Sequence, residues 1–476
     1  MNKFRYFILL LIITGMMAGV SYSEDKAQPS EEKILSFNHF LELATKNDSE
    51  FEEILVDELM LKYQKSLNLP AKDLVLSVKQ QHDFFFSQDR DSPNTTVSLT
   101  KLFPYSGTEI SLDYKVSSSL SSESLASKAS FGISQPIAEN AFGHSIRLLD
   151  KIVGLEVDVA RYQIVEAYED YLALVATAYY NWFRDYKNLE IGQKSYQANL
   201  KLLEDIYQRK KEKIAQSIDV NKVKLQVMAK EERLIELQEQ YENSLNTIKK
   251  IIRYKQDLLL VPIDPNAIGS LPLDFESSFE KFYQESRTFS ILNKLEKKSG
   301  LQVARDADTL LPSINLLIGY EISGDKYPIK NEDNLFYAGM QLDWPFGHQI
   351  ERAEYEISKI LERRSKLTTE NTYHRLYTQL RNLYLQLKRE KKLIEITDKR
   401  IELAKAVLED EAENYSFGRV TLNDYIQAVN ALDSNRFNKI LHEVLYKKLL
   451  VEWLRLTDRM VQYRNIEPEI KDLEKE

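Results

Sequence analysis

The residues best able to hold a metal or move a proton are the six histidines, at positions 39, 82, 144, 348, 374 and 442, and no two of them stand at i, i+3 or i, i+4 spacing. A histidine metal site on a helix face needs that spacing, so none is expected. Cysteine is absent, which removes disulfides, thiol catalysis and a lipid-modified N-terminal cysteine together. The 14 glycines form no phosphate-cradling loop, and neither a nucleophile elbow nor an HExxH helix occurs. This inventory argues against an enzyme and implies no cofactor. The acidic excess, 73 Asp and Glu against 64 Lys and Arg, argues against nucleic acid as a partner.

Positioning elements must therefore carry the function, and the N-terminus says where they work. Lys3 and Arg5 precede an apolar run from Phe7 to Val20, and Ser21-Tyr22-Ser23 supplies small residues before Glu24. Residues 1–23 read as a signal peptide removed on export. No later apolar stretch reaches the roughly 20 residues that a helix needs to cross a bilayer, so any later crossing must be made by strands.

The chain repeats itself. Over the helical half, residue i matches residue i+205 in character: Tyr168 with Tyr373, Tyr179 with Tyr384, Leu203 with Leu408, Asp219 with Asp424, Leu245 with Leu450. Upstream the offset becomes 242, pairing Ser36-Phe37-x-x-Phe40 with Ser278-Phe279-x-x-Phe282 and Leu69-Pro70 with Leu311-Pro312. Apolar residues recur in steps of three and four at Tyr168, Tyr171, Val175, Ala178, Trp182, Tyr186 and Leu189, and again at Tyr373, Tyr377, Leu380, Tyr384 and Leu387. That is a coiled-coil seam, and its Tyr and Trp residues are packing residues. A helix from about 143 to 210 would be roughly 100 Å long at 1.5 Å per residue, taller than a compact domain. Returning helices at about 219–254 and 423–458 should close antiparallel hairpins.

Elsewhere the period falls to two. Ile314, Leu316, Ile318, Tyr320 and Ile322 alternate with Asn315, Leu317, Gly319 and Glu321, and Phe336, Ala338, Met340, Leu342 and Trp344 with Tyr337, Gly339, Gln341 and Asp343, one face apolar and the other mostly polar. The first copy repeats this with Leu74, Leu76 and Val78, and with Ala129, Phe131 and Ile133. Lipid on one face and water on the other selects this alternation, as does a soluble sandwich with a buried inner face. Export, the lack of another core for the strands and the rod-like helices favour lipid. The first copy holds an extra pair of alternating runs, Val97–Thr100 and Ile110–Val116, around the turn Phe103-Pro104-Tyr105-Ser106-Gly107; it can extend a barrel wall or form an outward loop. Four strands, or six with that hairpin at 94–118, cannot close a membrane barrel alone, so several chains must pool their strands.

In the order of these elements the mature chain resembles the TolC family of outer-membrane efflux proteins. The resemblance is carried by Leu69-Pro70, Gln135-Pro136, Leu311-Pro312 and Trp344-Pro345-Phe346-Gly347, with helix tips near 207–219 and 412–424. It implies a mainly α fold with a membrane β-barrel, in which coiled-coil α-hairpins form a periplasmic α-barrel beneath a trimeric β-barrel of four strands per chain, or six. The implied domains are a first repeat over 24–262 (strands about 71–136, hairpin about 143–254), a second over 263–458 (strands about 312–346, hairpin about 348–458), and a charged tail at 459–476. Pro136 and Pro345 would mark the strand exits.

At the second tip, Tyr415-Ser416-Phe417-Gly418-Arg419-Val420-Thr421-Leu422-Asn423-Asp424 is similar to the family's tip pattern. There a tyrosine and a nearby arginine hold the entrance shut, and an aspartate contributes to an acidic ring, which makes Tyr415, Gly418, Arg419 and Asp424 the implied gate residues. Gly418 suits a helix-ending turn, and three copies of Asp424 at a constriction would favour cations. Asp424 also reads as part of a helix N-terminal cap, with Thr421 and Asn423 as rivals, and both roles are compatible. Arg419 stands one position nearer the glycine than in the family pattern, and Gln427 replaces a second acidic residue. In the first tip, Lys213 occupies the glycine position within the basic run from Arg209, and Asp219 aligns with Asp424; Arg209, Lys213 and Asp219 are the implied contacts for a partner. The resemblance implies a homotrimer in outer-membrane lipid serving a periplasmic adaptor and an inner-membrane pump, as the exit duct of a tripartite efflux or type I secretion system. The reading from another class is a periplasmic coiled-coil scaffold without a pore.

Overall fold

The computed structural model describes residues 32–85, 90–118, 125–254, 259–265, 274–324, 329 and 333–461; the expected signal peptide at 1–23 and most of the expected tail at 459–476 lie outside these. In chain order the elements are β1 (Glu32–Leu35), α1 (Phe37–Asn47), α2 (Ser49–Asn68), β2 (Leu74–Phe85), β3 (Arg90–Phe103), β4 (Thr108–Ser118), β5 (Leu125–Pro136), α3 (His144–Lys211), α4 (Ser217–Ile251), β6 (Leu259–Pro262), α5 (Phe275–Glu285), α6 (Arg287–Asp308), β7 (Ser313–Gly324), β8 (Asp333–Asp343), α7 (Gln349–Ser416) and α8 (Leu422–Leu456).

The duplication is visible as length. Helices α3 and α7 have 68 residues each, α4 and α8 have 35 each, and every boundary of the second pair falls 205 positions after that of the first. In the short helices the 242 offset is one turn out. The N-caps of α1 and α5 are Ser36 and Asp274, and those of α2 and α6 are Asp48 and Ser286, which pairs both at 238. A slip of four residues keeps the same helix face forward, so Phe279 and Phe282 can imitate Phe37 and Phe40 while sitting one turn later. All four caps accept a backbone N–H, as Ser and Asp are suited to do.

Helix α3 packs on α4 and α8, and α8 on α7, so the four long helices form one layer in the order α4, α3, α8, α7. The returning helices cover only the tip half of α3 and α7; over the other half α3 is accompanied by α2 and α6, and α7 by α6. Where the partners change, aromatic clusters hold the layer. Trp182, Tyr179 and Tyr180 are fully buried, with Phe37 stacked on Tyr180 at 5.3 Å and edge-on to Tyr179 at 5.2 Å. The Tyr179 hydroxyl donates to the Leu35 carbonyl at 2.8 Å and accepts from the Ile263 amide at 3.1 Å. These bonds tie α3 to a two-stranded parallel pair, β1 with β6, that the sequence reading missed because four residues are too few to show a period. The second cluster gathers Phe275, Phe279, Phe282 and Phe289 against Leu380, Leu387 and Trp453. Among the described residues no helix is long and apolar enough to cross a membrane.

The large sheet has six strands in the order β2-β3-β4-β5-β7-β8, every neighbouring pair antiparallel. The hairpin around 94–118 is therefore an integral part of the sheet, between β2 and β5, and the strand count per chain is six.

Candidate functional site

Register decides which side chains share a face of this sheet. One rung reads Leu76, Leu99, Leu112, Phe131, Tyr320, Phe336 across all six strands, and the next toward the helices reads Leu74, Lys101, Ile110, Ile133, Ile318, Ala338. Between them, on the opposite face, lies Val75, Thr100, Ser111, Gly132, Gly319, Tyr337, and beyond the first comes Ser77, Ser98, Asp113, Ser130, Glu321, Leu335. The apolar face is uncovered: Leu76, Leu112, Phe131, Tyr320 and Phe336 are all exposed, and among the described residues no helix or second sheet packs across them. Strands of 11 to 14 residues are long enough for the 9–11 that a tilted membrane strand needs. On the polar face the Tyr337 ring lies over Gly319, where a Cβ would also meet the Phe131 carbonyl oxygen at 2.7 Å.

The strand exits join wall to helix. Pro136 ends β5, and the β3–β4 turn rests on it: a Cβ on Gly107 (φ +69°) would come within 2.8 Å of Pro136 Cγ and 3.0 Å of the Gly143 nitrogen. Arg147 donates to the carbonyls of Tyr105, at 2.8 Å, and of Phe142, fixing the turn to the first residues of α3. Pro345 follows β8 in an exposed link to α7.

The two tips adopt one turn. At the second, Gly418 has φ +70° and the Arg419 amide donates back to the Asn414 carbonyl at 2.9 Å; at the first, Lys213 has φ +64° and the Ile214 amide donates to the Arg209 carbonyl at 2.9 Å. Lysine thus keeps the glycine's left-handed geometry instead of altering the turn, at a conformational cost of about 1–2 kcal/mol. Lys213→Gly should accordingly raise the stability of that tip by about 1 kcal/mol, and Gly418→Ala, whose Cβ would meet nothing within 4 Å, should lower its own by a similar amount. Hydrogen exchange of the tip amides reads both; equal protection in the two variants would show that φ is not what limits these turns.

The returning helices start on capping boxes. The Asp424 carboxylate accepts from the Thr421 amide at 3.0 Å and the Thr421 hydroxyl at 2.6 Å, and these bonds hold its pKa below the usual carboxylate value. Thr421 is the cap residue, and Asp424, fully exposed, completes the box. In the first tip Asp219 does the same for the Gln216 amide at 3.0 Å. Tyr415 is half-buried, stacked on Tyr425 at 5.7 Å with the rings 7° apart, and the Arg209 guanidinium lies 4.9 Å from its centroid. Burial raises the Tyr415 pKa, with Arg209 opposing. The tyrosine's cationic neighbour thus comes from the other hairpin; Arg419 is exposed, with its guanidinium 5.2 Å from the ring of Phe417. Gln427 is exposed beyond Asp424.

Above the tips lies an interlock that the periodicity did not disclose. Asp433 of α8, 5% exposed, accepts from Lys230 of α4 at 3.0 Å and from the Ser195 hydroxyl of α3. Gln226 donates to Asn430 at 2.8 Å one turn nearer the tip. The available signal was a charge in a seam: Lys230 falls on the row of Val223, Val227, Leu234 and Leu237.

Among the described residues no cluster of His, Cys, Asp or Glu is built to hold a metal ion. No protein-family model matches the sequence, and no curated protein does. Solved structures do. The CusC channel superposes with a TM-score of 0.67 at 10% identity over 88% of this chain and 91% of its own. The Campylobacter jejuni CmeC outer membrane channel gives 0.66 at 13% identity over 89% and 85%, and the outer membrane protein VceC of Vibrio cholerae 0.66 at 12% over 88% and 95%. Such identities establish a likeness of fold.

Proposed function

We propose that this chain, whose fold is that of the TolC-like outer-membrane channels, assembles as a homotrimer into a channel-tunnel, the exit duct of a tripartite efflux or type I secretion system. Three copies would supply eighteen strands to a barrel in outer-membrane lipid, and twelve long helices to a tunnel in the periplasm. The observation that carries the reading is the apolar face, bare among the described residues, of a sheet whose two edges, β2 and β8, have no partner strand there. In lipid an open edge leaves backbone groups unsatisfied, and β8 of one copy beside β2 of the next continues the antiparallel alternation.

The helical layer supports the same closure. Its edge helices expose apolar residues at heptad spacing, Ile218, Leu225, Met228 and Ile235 on α4 and Ile396, Leu403 and Val407 on α7, as two helices awaiting each other's copies would. A head-to-tail contact of this kind closes into a ring. No bond is made or broken in the duct. An inner-membrane pump drives transport, and a periplasmic adaptor opens the tips by binding the open arrangement better than the shut one.

In a planar bilayer the detergent-extracted protein is expected to give discrete single-channel steps. Tyr415→Ala combined with Asp424→Asn is expected to raise the current and weaken cation preference, since the first removes the platform for Arg209 and the second a carboxylate at the constriction. A protein that extracts without detergent and never conducts would leave the scaffold reading in its place.

A further inference from the structure

On the polar face one rung toward the ends of the strands remote from the helices reads Lys79, Thr96, Lys115, Lys128, Ser323, Asp333. Lys115 and Lys128 stand directly opposite each other, an arrangement of like charges that weakens a sheet. Only Lys128 is relieved, by Glu321 at 2.5 Å. Lys79 and Lys115 form no ion pair among the described residues. Beside Lys115 opens a recess of about 360 Å³ lined also by Ser117, Lys128, Ser323 and Asp333, in which ammonium and hydroxyl donors outnumber the one carboxylate.

We propose that Lys79, Lys115 and Lys128 form an anion-attracting girdle in the mouth of the channel, a selectivity site for solutes carrying carboxylate, sulfate or phosphate groups. The inference rests on the channel reading, because only a closed wall turns this face toward water in a lumen. Three copies place nine ammonium groups on one ring, three of them paired with Glu321, against three Asp333 carboxylates, and low-dielectric walls strengthen the field of the excess. Lys115 belongs to the hairpin at 94–118, so that hairpin contributes charge as well as circumference. With Asp424 at the tips, the duct would have an acidic entrance and a basic exit.

The absence of cysteine allows a direct probe of the field. Thr96→Cys places a lone thiol on the rung between Lys79 and Lys115. Its rates with an anionic sulfonate and a cationic ammonium methanethiosulfonate are measured on the lipid-reconstituted protein, with and without Lys79→Gln and Lys115→Gln; these leave the Lys128–Glu321 pair intact. The anionic reagent is expected to be favoured, and the preference to fall about tenfold without the two lysines. An equal preference in both backgrounds overturns the girdle and leaves the channel standing. A thiol that neither reagent reaches, in protein shown to be inserted, overturns the girdle together with the channel, because the polar face would then not be wet.

Discussion

Gly143→Ala is expected to cost at least about 2 kcal/mol of stability, although the change adds one methyl group far from either tip. Gly143 has φ +75°, a conformation that costs an L-residue about 1–2 kcal/mol. Its new Cβ would also meet main chain, with the Tyr105 carbonyl carbon at 2.6 Å and the Pro104 oxygen at 2.8 Å. Backbone atoms cannot rotate away as a flexible side chain can, so either the β3–β4 turn or the start of α3 must move. That turn is where Gly107, Pro136 and Arg147 fasten the sheet to the helix. Gly154→Ala, inside α3 with nothing within 4 Å of the added atom, is the control and should stabilise by about 0.5–1 kcal/mol. Equal melting of the Gly143→Ala variant and the wild type would sink the claim that this joint transmits the fold from sheet to helix.

The second large effect is expected at the interlock. Lys230→Met should destabilise the protein by about 3–5 kcal/mol, because it strands the Asp433 carboxylate in a buried position with the Ser195 hydroxyl as its main partner. Arg436, 3.8 Å from the other carboxylate oxygen and more exposed, offsets only part of this. Adding Asp433→Leu removes the uncompensated charge and should restore much of the lost stability. The pair has a second readout. It joins α4 of one hairpin to α8 of the other, so the double variant, refilled with apolar groups, is expected to retain its fold while its tips part more readily, giving larger or longer openings in a bilayer. Recovery of stability with wild-type gating would confine the pair to a structural role.

The parts of this molecule legible in its sequence were those written as periodicity. Steps of three and four gave the long helices, and the alternation of Ile314 to Ile322 gave a strand. Over the helical half, a duplication without insertions carried the boundaries of the long helices from one repeat to the other. What periodicity left ambiguous, pairing resolved: the hairpin around 94–118 had equal claims as wall or loop until Val97 was found opposite both Val78 and Tyr114. Translational ambiguity explains the 242 offset, since a helix shifted by four residues presents the same face. Contacts between distant segments were not legible. The seam position of Lys230 marks it among the lysines of α4 but does not name Asp433 as its partner, and Arg209 as the neighbour of Tyr415 depends on how two hairpins lie together. Lys213 shows the limit of reading a turn from its glycine, because the hydrogen bonds around it impose the left-handed geometry on a residue that resists it.

Helix α7 runs unbroken past two successive sets of partners, α6 in one half and α8 in the other, with the phenylalanines of α5 gathered around Leu380 and Leu387 where they change. A rod so held is a lever, and the aromatic collar is its fulcrum. Sideways travel at the far end becomes rotation at the collar, and the arm of similar length beyond it is braced by α6. In the proposed channel the tips would therefore swing while the braced end stays nearly still, so opening them need not disturb the sheet.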